Sequence, residues 1–174
     1  MPLPDCCLAK RDLLRDAVDV AAAEEDLARR YKEAIESASS ALAIDPELPL
    51  DTAAGYTWTS YYELGDLQSA RAVCNEKPDN WPSQVGLAVI YDKLGQRGDA
   101  EAQLAKLQAD DGYAYQWAQI YAQWGRAAKG LDALDVALRL RDPGLRYLKV
   151  DPLLDPLRRE PRFQALERAL KFPE

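Results

Sequence analysis

Histidine is absent from this chain of 174 residues. Histidine is the commonest general base and the commonest transition-metal ligand, so its absence removes the most frequent means of acid–base and metal-assisted catalysis. The chain also lacks a glycine-rich phosphate loop, a Gly-x-Ser-x-Gly nucleophile motif and a Cys-x-x-Cys pair. The sequence therefore predicts a protein that is not an enzyme and that needs no cofactor and no metal ion.

Cysteine is scarce, and its spacing is uninformative for metal binding. The three cysteines are Cys6, Cys7 and Cys74, an odd number without metal-ligand spacing. Cys6 and Cys7 fall in an N-terminal extension, residues 1–11, and Cys74 is expected to pack as a small core residue on a helix. This usage favours a reduced intracellular setting.

Long apolar runs and an excess of positive charge are also missing. No run approaches the roughly 20 residues that a membrane-spanning helix needs, so direct membrane insertion is not expected. Lysine and arginine number 22 against 29 aspartates and glutamates, a net charge of −7. Binding to nucleic acid needs a basic face, so nucleic acid is not an expected partner. The 48% of hydrophobic residues is typical of a folded globular chain.

What the sequence does contain is a repeat. Gly65, Gly95 and Gly125 recur at an interval of 30 residues. A tyrosine stands four positions before each glycine: Tyr61, Tyr91 and Tyr121. A large apolar residue stands one position before it: Leu64, Leu94 and Trp124. A small residue stands five positions after it: Ala70, Ala100 and Gly130. A repeat this short indicates stacked supersecondary units.

Within a unit the apolar spacing is helical. Between Trp81 and Gly95 apolar residues fall at three- and four-residue steps, and Gly95 follows the last of them, where a helix ends in a left-handed cap. A second apolar face follows over Asp99–Leu107. Each unit is therefore predicted to be a helix, a tight turn with a positive-φ glycine, and a second helix. The recurring tyrosines, with Leu64, Leu94 and Trp124, are expected to be core.

An earlier unit precedes these three. Tyr31, Ala34 and Ala38 continue the pattern to Asp45-Pro46, where the helix is expected to stop, and Arg29 stands where the other units have glycine. The predicted helices are 12–28, 31–44, 52–64, 67–77, 81–94, 97–108, 113–124 and 127–140.

These residues resemble the tetratricopeptide repeat. The resemblance covers about residues 15–141 and departs from the family at the intervals of 30, at Gly130 in place of alanine and at Arg29 in place of glycine. It implies an all-α, right-handed superhelix of about four helix pairs. The predicted repeats occupy 12–141, divided at about 12–48, 51–80, 81–110 and 111–141, and a C-terminal helical cap occupies 142–174.

The tail after the last repeat carries a more specific resemblance. Its motifs Asp142-Pro143-Gly144, Asp151-Pro152 and Asp155-Pro156 are similar to the closing segment of tetratricopeptide domains in bacterial winged-helix regulators, nucleotide cyclases and serine/threonine kinases. The prolines forbid one long helix. The apolar residues expected to cover the end of the repeat stack are Leu153, Leu157, Phe163, Leu166 and Leu170. A complete chain is expected in the cytoplasm, and a piece of a membrane-anchored regulator in the periplasm.

The tetratricopeptide register also implies a binding groove on the inner face of the first helices. Its predicted residues are Tyr62, Glu63, Val89, Asp92, Lys93, Tyr115, Gln119 and Gln123. An aromatic and amide groove suits a protein or peptide partner, so the predicted function is protein–protein interaction, as a scaffold, an adaptor or the regulatory part of a bacterial signalling or transcription-regulatory protein. Two alternatives stay open: a small-molecule-sensing domain that uses the same aromatic groove, and an inner wall that is simply solvated.

Overall fold

The structure is a computed structural model and describes residues 21–44 and 53–172. Every regular element in these residues is helical, which confirms the all-α class. The elements are a helical segment at 21–27 (α1), α2 Tyr31–Ile44, α3 Ala53–Glu63, α4 Leu67–Glu76, α5 Trp81–Lys93, α6 Arg97–Leu107, α7 Ala114–Gln123, α8 Ala127–Leu140 and α9 Pro161–Leu170, with 3₁₀ turns at Asp111–Tyr113, Pro143–Tyr147 and Pro152–Leu157.

The predicted helices agree with the observed ones. The predictions for α2 and α8 coincide with the observed bounds, and α3 to α7 differ by a residue at one or both ends. The extension 1–11 with Cys6 and Cys7, residues 12–20 of the predicted helix 12–28, the stop at Asp45-Pro46 and the predicted helix start at residue 52 lie outside the described residues.

The turns after α3, α5 and α7 have one geometry. Gly65, Gly95 and Gly125 have φ of +81°, +76° and +68°, as predicted. After α5, the Gly95 N–H donates to the Asp92 carbonyl at 3.0 Å and the Gln96 N–H donates to the Tyr91 carbonyl at 2.8 Å. This pair of bonds is the Schellman motif, which satisfies the last carbonyls of a helix and turns the chain sharply.

Arg29 forms the same turn without glycine. Its φ is +63°, its N–H donates to the Asp26 carbonyl at 2.9 Å, and the Arg30 N–H donates to the Glu25 carbonyl at 2.8 Å. The first unit therefore ends its first helix as the other three do. The departure at Arg29 changes the residue and leaves the turn geometry intact.

The fifth residue after each turn is small because the backbone there packs closely. Ala34, Ala70 and Ala100 are fully buried. At Gly130, a Cβ would lie 3.1 Å from Leu157 Cδ1 and 3.4 Å from the Ala118 carbonyl oxygen. The departure from alanine at this position therefore has a physical cause, since a tail leucine fills the space that a methyl group would take.

The chain divides into two compact units, Met1–Gly86 and Leu87–Glu174, and the division falls within α5. In the first unit α3 packs against α2 and α4. Trp58 and Tyr62 are buried edge to face, with ring centroids 6.4 Å apart. The Ser60 hydroxyl donates to the buried Asp26 carboxylate at 2.6 Å, which joins α3 to α1.

In the second unit α7 packs against α6, α8 and the tail. Trp124 is buried, and its indole N–H donates to the Ala88 carbonyl at 3.1 Å. The guanidinium groups of Arg97 and Arg126 lie over its ring, at 4.7 and 5.2 Å from the ring centroid respectively. The core prediction is confirmed for Tyr121 and Trp124, but Tyr61 and Tyr91 are only half-buried, and it is wrong for Leu64 and Leu94, which are 46% exposed. All three residues at the Trp124 position follow the last residue of their helix, so position does not decide their burial. Trp124 differs because its large ring lies under Arg97 and Arg126 and its indole N–H reaches a carbonyl.

The turn geometry gives a first testable prediction. We expect Gly95→Val to lower the free energy of unfolding by about 1 to 3 kcal/mol, since a β-branched residue at positive φ is strained. The matched control is Gly98→Val, at a position with open space around the Cβ and no positive φ. Chemical denaturation measures both, and equal midpoints for the two variants would contradict the assigned turn.

Introducing glycine in place of another residue at positive φ tests the same backbone strain. Arg141 ends α8 with φ of +55°. Arg141→Gly is therefore expected to raise the free energy of unfolding, by about 0.5 to 1 kcal/mol, because glycine adopts this conformation without steric cost.

Candidate functional site

Three of the predicted groove residues form a row on α7. Tyr115, Gln119 and Gln123 are spaced by four residues and therefore lie on one face of the helix. We call these three residues the α7 row. Each of them contacts the tail of the same chain, as the following distances show.

Tyr115 is held by the tail at three points. Its hydroxyl donates to Asp151 Oδ2 at 2.9 Å, and its backbone N–H donates to Asp142 Oδ2 at 3.3 Å. Its ring lies against Gly144, where a Cβ would be only 2.7 Å from the ring carbons. Tyr115 is consequently 2% exposed.

The two aspartates come from equivalent Asp-Pro turns. Asp142 Oδ1 accepts the Gly144 N–H at 2.8 Å, and Asp151 Oδ1 accepts the Leu153 N–H at 2.9 Å. Each carboxylate thus uses one oxygen to start its own 3₁₀ turn, as aspartate before proline often does, and the other oxygen to bind Tyr115. From sequence the prolines were interpreted only as helix breakers, although the repeated Asp-Pro pair was a visible signal of this further role.

The two glutamines complete the row. Gln119 Nε2 donates to Asp151 Oδ2 at 2.7 Å, and Gln123 Nε2 donates to the Leu153 carbonyl at 2.8 Å. On the tail side, the Arg158 guanidinium donates to the Asp151 carbonyl at 3.0 Å and to Asp155 at 2.6 Å. The α7 row therefore binds a carboxylate and a main-chain carbonyl of one short segment.

Burial shifts the pKa values of the two acidic groups in this network, Asp151 and Tyr115. Burial raises the pKa of Asp151, opposed by the hydrogen bonds from Gln119, Tyr115 and the Leu153 N–H and by the charge of Arg158. Burial also raises the pKa of Tyr115 well above its usual value, and the Asp151 charge adds to the rise. The phenol therefore stays protonated and donates to the carboxylate, an arrangement suited to holding a segment in place.

The other predicted groove residues are differently placed. Tyr62 packs on Trp58, Val89 is buried, and Asp92 is ion-paired with Arg97. Glu63 is half-buried, and Lys93 is exposed. Tyr62 and Glu63 belong to the first unit, and the remaining six residues belong to the second. Their role in partner binding stays a prediction.

Metal binding and thiol chemistry have little support in the described ranges. Residues 21–44 and 53–172 contain no group of three histidine, cysteine, aspartate or glutamate side chains placed to hold a metal ion. Cys74 is buried, and burial raises the pKa of its thiol to about 12, in keeping with a packing role. Among the same residues, no helix has the length and apolar character required to cross a bilayer.

The chain was compared with models of protein families, with curated proteins and with solved structures, and none of the three comparisons found a match. Interpretation of the site consequently rests on its own residues.

Proposed function

We propose that this chain is a tetratricopeptide-like protein–protein interaction module, serving as a scaffold or as the regulatory part of a bacterial signalling protein. The support comes from the repeated unit. Turns of one geometry at Arg29, Gly65, Gly95 and Gly125 each join two helices. The residue five positions after each turn is small and buried. Stacked helix pairs of this kind usually present extended binding surfaces.

The observation that carries the proposal is the occupancy of the α7 row. Tyr115, Gln119 and Gln123 were predicted to bind a peptide, and they bind residues 142–153 of their own chain through two carboxylates and a carbonyl. A tyrosine hydroxyl and side-chain amides are suited to main-chain and carboxylate recognition. The tail supports the proposal because it is a peptide segment seated on the predicted face.

The proposed surface for a second protein is the corresponding face of the part of α5 that belongs to the second unit. On α5 this face includes Asp92 and the exposed Lys93, which correspond to Ala122 and Gln123 on α7. The partner would accordingly offer charged groups to this part of the surface. A small-molecule pocket on α7 gains no support, because the Tyr115 ring and hydroxyl are already occupied by the tail.

A charge-reversal pair tests the proposal. A partner is first captured by crosslinking in cells, then purified, and its dissociation constant for the full chain is measured. Lys93→Glu is expected to weaken binding about tenfold or more, since close charge pairs contribute strongly to association. The matched control Lys106→Glu reverses the same charge on α6, a second helix, and should change affinity less than about twofold.

Two results would contradict the proposal. Equal losses from Lys93→Glu and Lys106→Glu would show that the inner face is not the binding surface. Failure of any purified candidate to bind more tightly than about 1 mM, a free energy of only −4.1 kcal/mol, would remove the support for an interaction module.

A further inference from the structure

The end of the tail carries a charge opposite to that of the chain. Residues 146–172 contain seven basic and four acidic residues, whereas the whole chain has a net charge of −7. An asymmetry of this kind indicates a local electrostatic role rather than general solubility.

Part of this positive charge converges on a cleft. The cleft has a volume of about 310 Å³ and is lined by Lys149, Glu167, Arg168, Lys171 and Phe172. Lys149 lies between two 3₁₀ turns, whereas Arg168 and Lys171 lie at the C-terminal end of α9. The cations therefore come from two separate segments of the tail.

The cations of the cleft lack carboxylate partners among the residues that the structure describes. The Lys149, Arg168 and Lys171 side chains make no ion pair there, whereas Arg162, also on α9, bonds to Asp132 at 3.0 Å and Asp135 at 2.6 Å. The carboxylate of the cleft, Glu167, is itself paired with Arg158 at 3.8 Å. Within residues 21–44 and 53–172, the lining therefore carries more positive charge than its ion pairs compensate.

Helix stabilisation explains only part of this arrangement. Cations in the last turn of a helix offset its dipole, which accounts for Arg168 and Lys171. It does not account for Lys149, which is on a different segment and adds a like charge to the same concave space. Clefts whose lining has an excess of one sign of charge, as three cations and Glu167 give here, concentrate ions of the opposite sign.

We propose that this cleft binds a small phosphate-bearing anion. Its volume lies at the lower end of the range for small-molecule sites, and ammonium and guanidinium groups are the usual ligands of phosphate oxygens. Phe172 supplies an apolar wall for the part of the ligand that carries the phosphate. The site is distinct from the α7 row, so a test of anion binding is independent of the proposed protein-interaction surface.

The test is calorimetric titration of the full chain with inorganic pyrophosphate at low salt. We expect saturable one-site binding that weakens as salt is added. The double variant Lys149→Gln/Lys171→Gln should lose about a hundredfold in affinity, since each charge-assisted hydrogen bond is worth roughly tenfold. Arg159→Gln is the control, because it removes one exposed charge from the same tail outside the cleft.

Three results would overturn the proposal. The first is the absence of saturable binding by the wild-type chain up to about 10 mM pyrophosphate. The second is an equal loss of affinity in Arg159→Gln, which would indicate general charge attraction. The third is binding to vesicles that contain phosphatidic acid without binding to pyrophosphate, which would indicate a membrane surface as the ligand. Thermal melting of each variant shows that a lost signal is not lost folding.

Discussion

Deleting residues 143–174 is expected to unfold the whole second unit. The deleted segment supplies Leu148, Leu154, Leu157 and Phe163, all of which are fully buried. Truncating a buried leucine or phenylalanine to alanine costs about 2 to 5 kcal/mol, and the total stability of a domain is about 5 to 15 kcal/mol. Loss of all four exceeds what the unit can tolerate, so the truncated chain should aggregate or melt at a much lower temperature.

Single substitutions test whether the tail side chains form part of the core of the second unit or lie at its surface. Leu157→Ala and Phe163→Ala should each lower the free energy of unfolding by about 3 kcal/mol in chemical denaturation. The controls Leu140→Ala and Val150→Ala remove exposed apolar side chains and should change it by less than about 0.5 kcal/mol. A truncated chain that stays monomeric with an unchanged melting temperature would show that the tail is a linker.

Gly130 provides a second, independent measurement of the same contact. In the Leu157→Ala background the tight contact with Leu157 is gone and the Ala118 carbonyl oxygen remains at 3.4 Å, an ordinary contact, so Gly130→Ala should recover up to about 1 kcal/mol through helix propensity. In the wild-type chain the added methyl group would meet Leu157 Cδ1 at 3.1 Å, so the gain should be smaller or reversed. A double-mutant cycle measures this coupling directly.

Replacing Asp151 by alanine is expected to cost about 3 kcal/mol or more, the second large effect. The change removes the acceptor of the buried Tyr115 hydroxyl and Leu153 N–H and of the half-buried Gln119 amide. Asp151→Asn should cost far less, because it keeps one acceptor oxygen for Leu153 and offers an amide to partners that can reverse their hydrogen bonds. Equal stabilities of the alanine and asparagine variants would contradict the proposed network.

The raised pKa of Asp151 defines the direction in which the free energy of unfolding changes with pH. Burial raises the pKa of Asp151 above its ordinary value of 3.8, so the folded chain binds this proton more tightly than the unfolded chain does. The contribution of this group to stability therefore falls as pH rises from about 3.8 to the raised pKa and is constant above it. Relative to Asp151→Asn, the wild-type chain should gain stability as pH is lowered through this window. A difference that is flat with pH would show that Asp151 titrates normally.

The repeat itself could be predicted from particular residues. Gly95 and its two equivalents mark the turns, because only glycine adopts positive φ without strain, and the alanines five positions later mark where helices approach closely. Helical spacing located α2 and α8 to the residue. Leu64 and Leu94 were misplaced because they share the period of the buried Trp124, and periodicity does not show which side chains of other helices cover a residue.

The prediction was a groove of eight residues on three helices, of which three form the row on α7, and the segment bound there was not predicted. The spacing of Tyr115, Gln119 and Gln123 follows from helix geometry alone. Their acceptors, Asp151 and the Leu153 carbonyl, lie about thirty residues further along the chain. No local rule relates residues at that separation, so sequence periodicity could not pair them.

The sequence by itself determined the helical class, the position of the turns and the face of α7 that carries the row. These features depend on local forces: steric limits on φ, helical spacing and the missing N–H of proline. The tertiary structure alone decided that the tail packs on the row, that Leu157 packs tightly against Gly130, and that Asp151 is buried with a raised pKa. Each of these depends on atoms brought together from distant parts of the chain, where close packing and desolvation act only once the chain has folded.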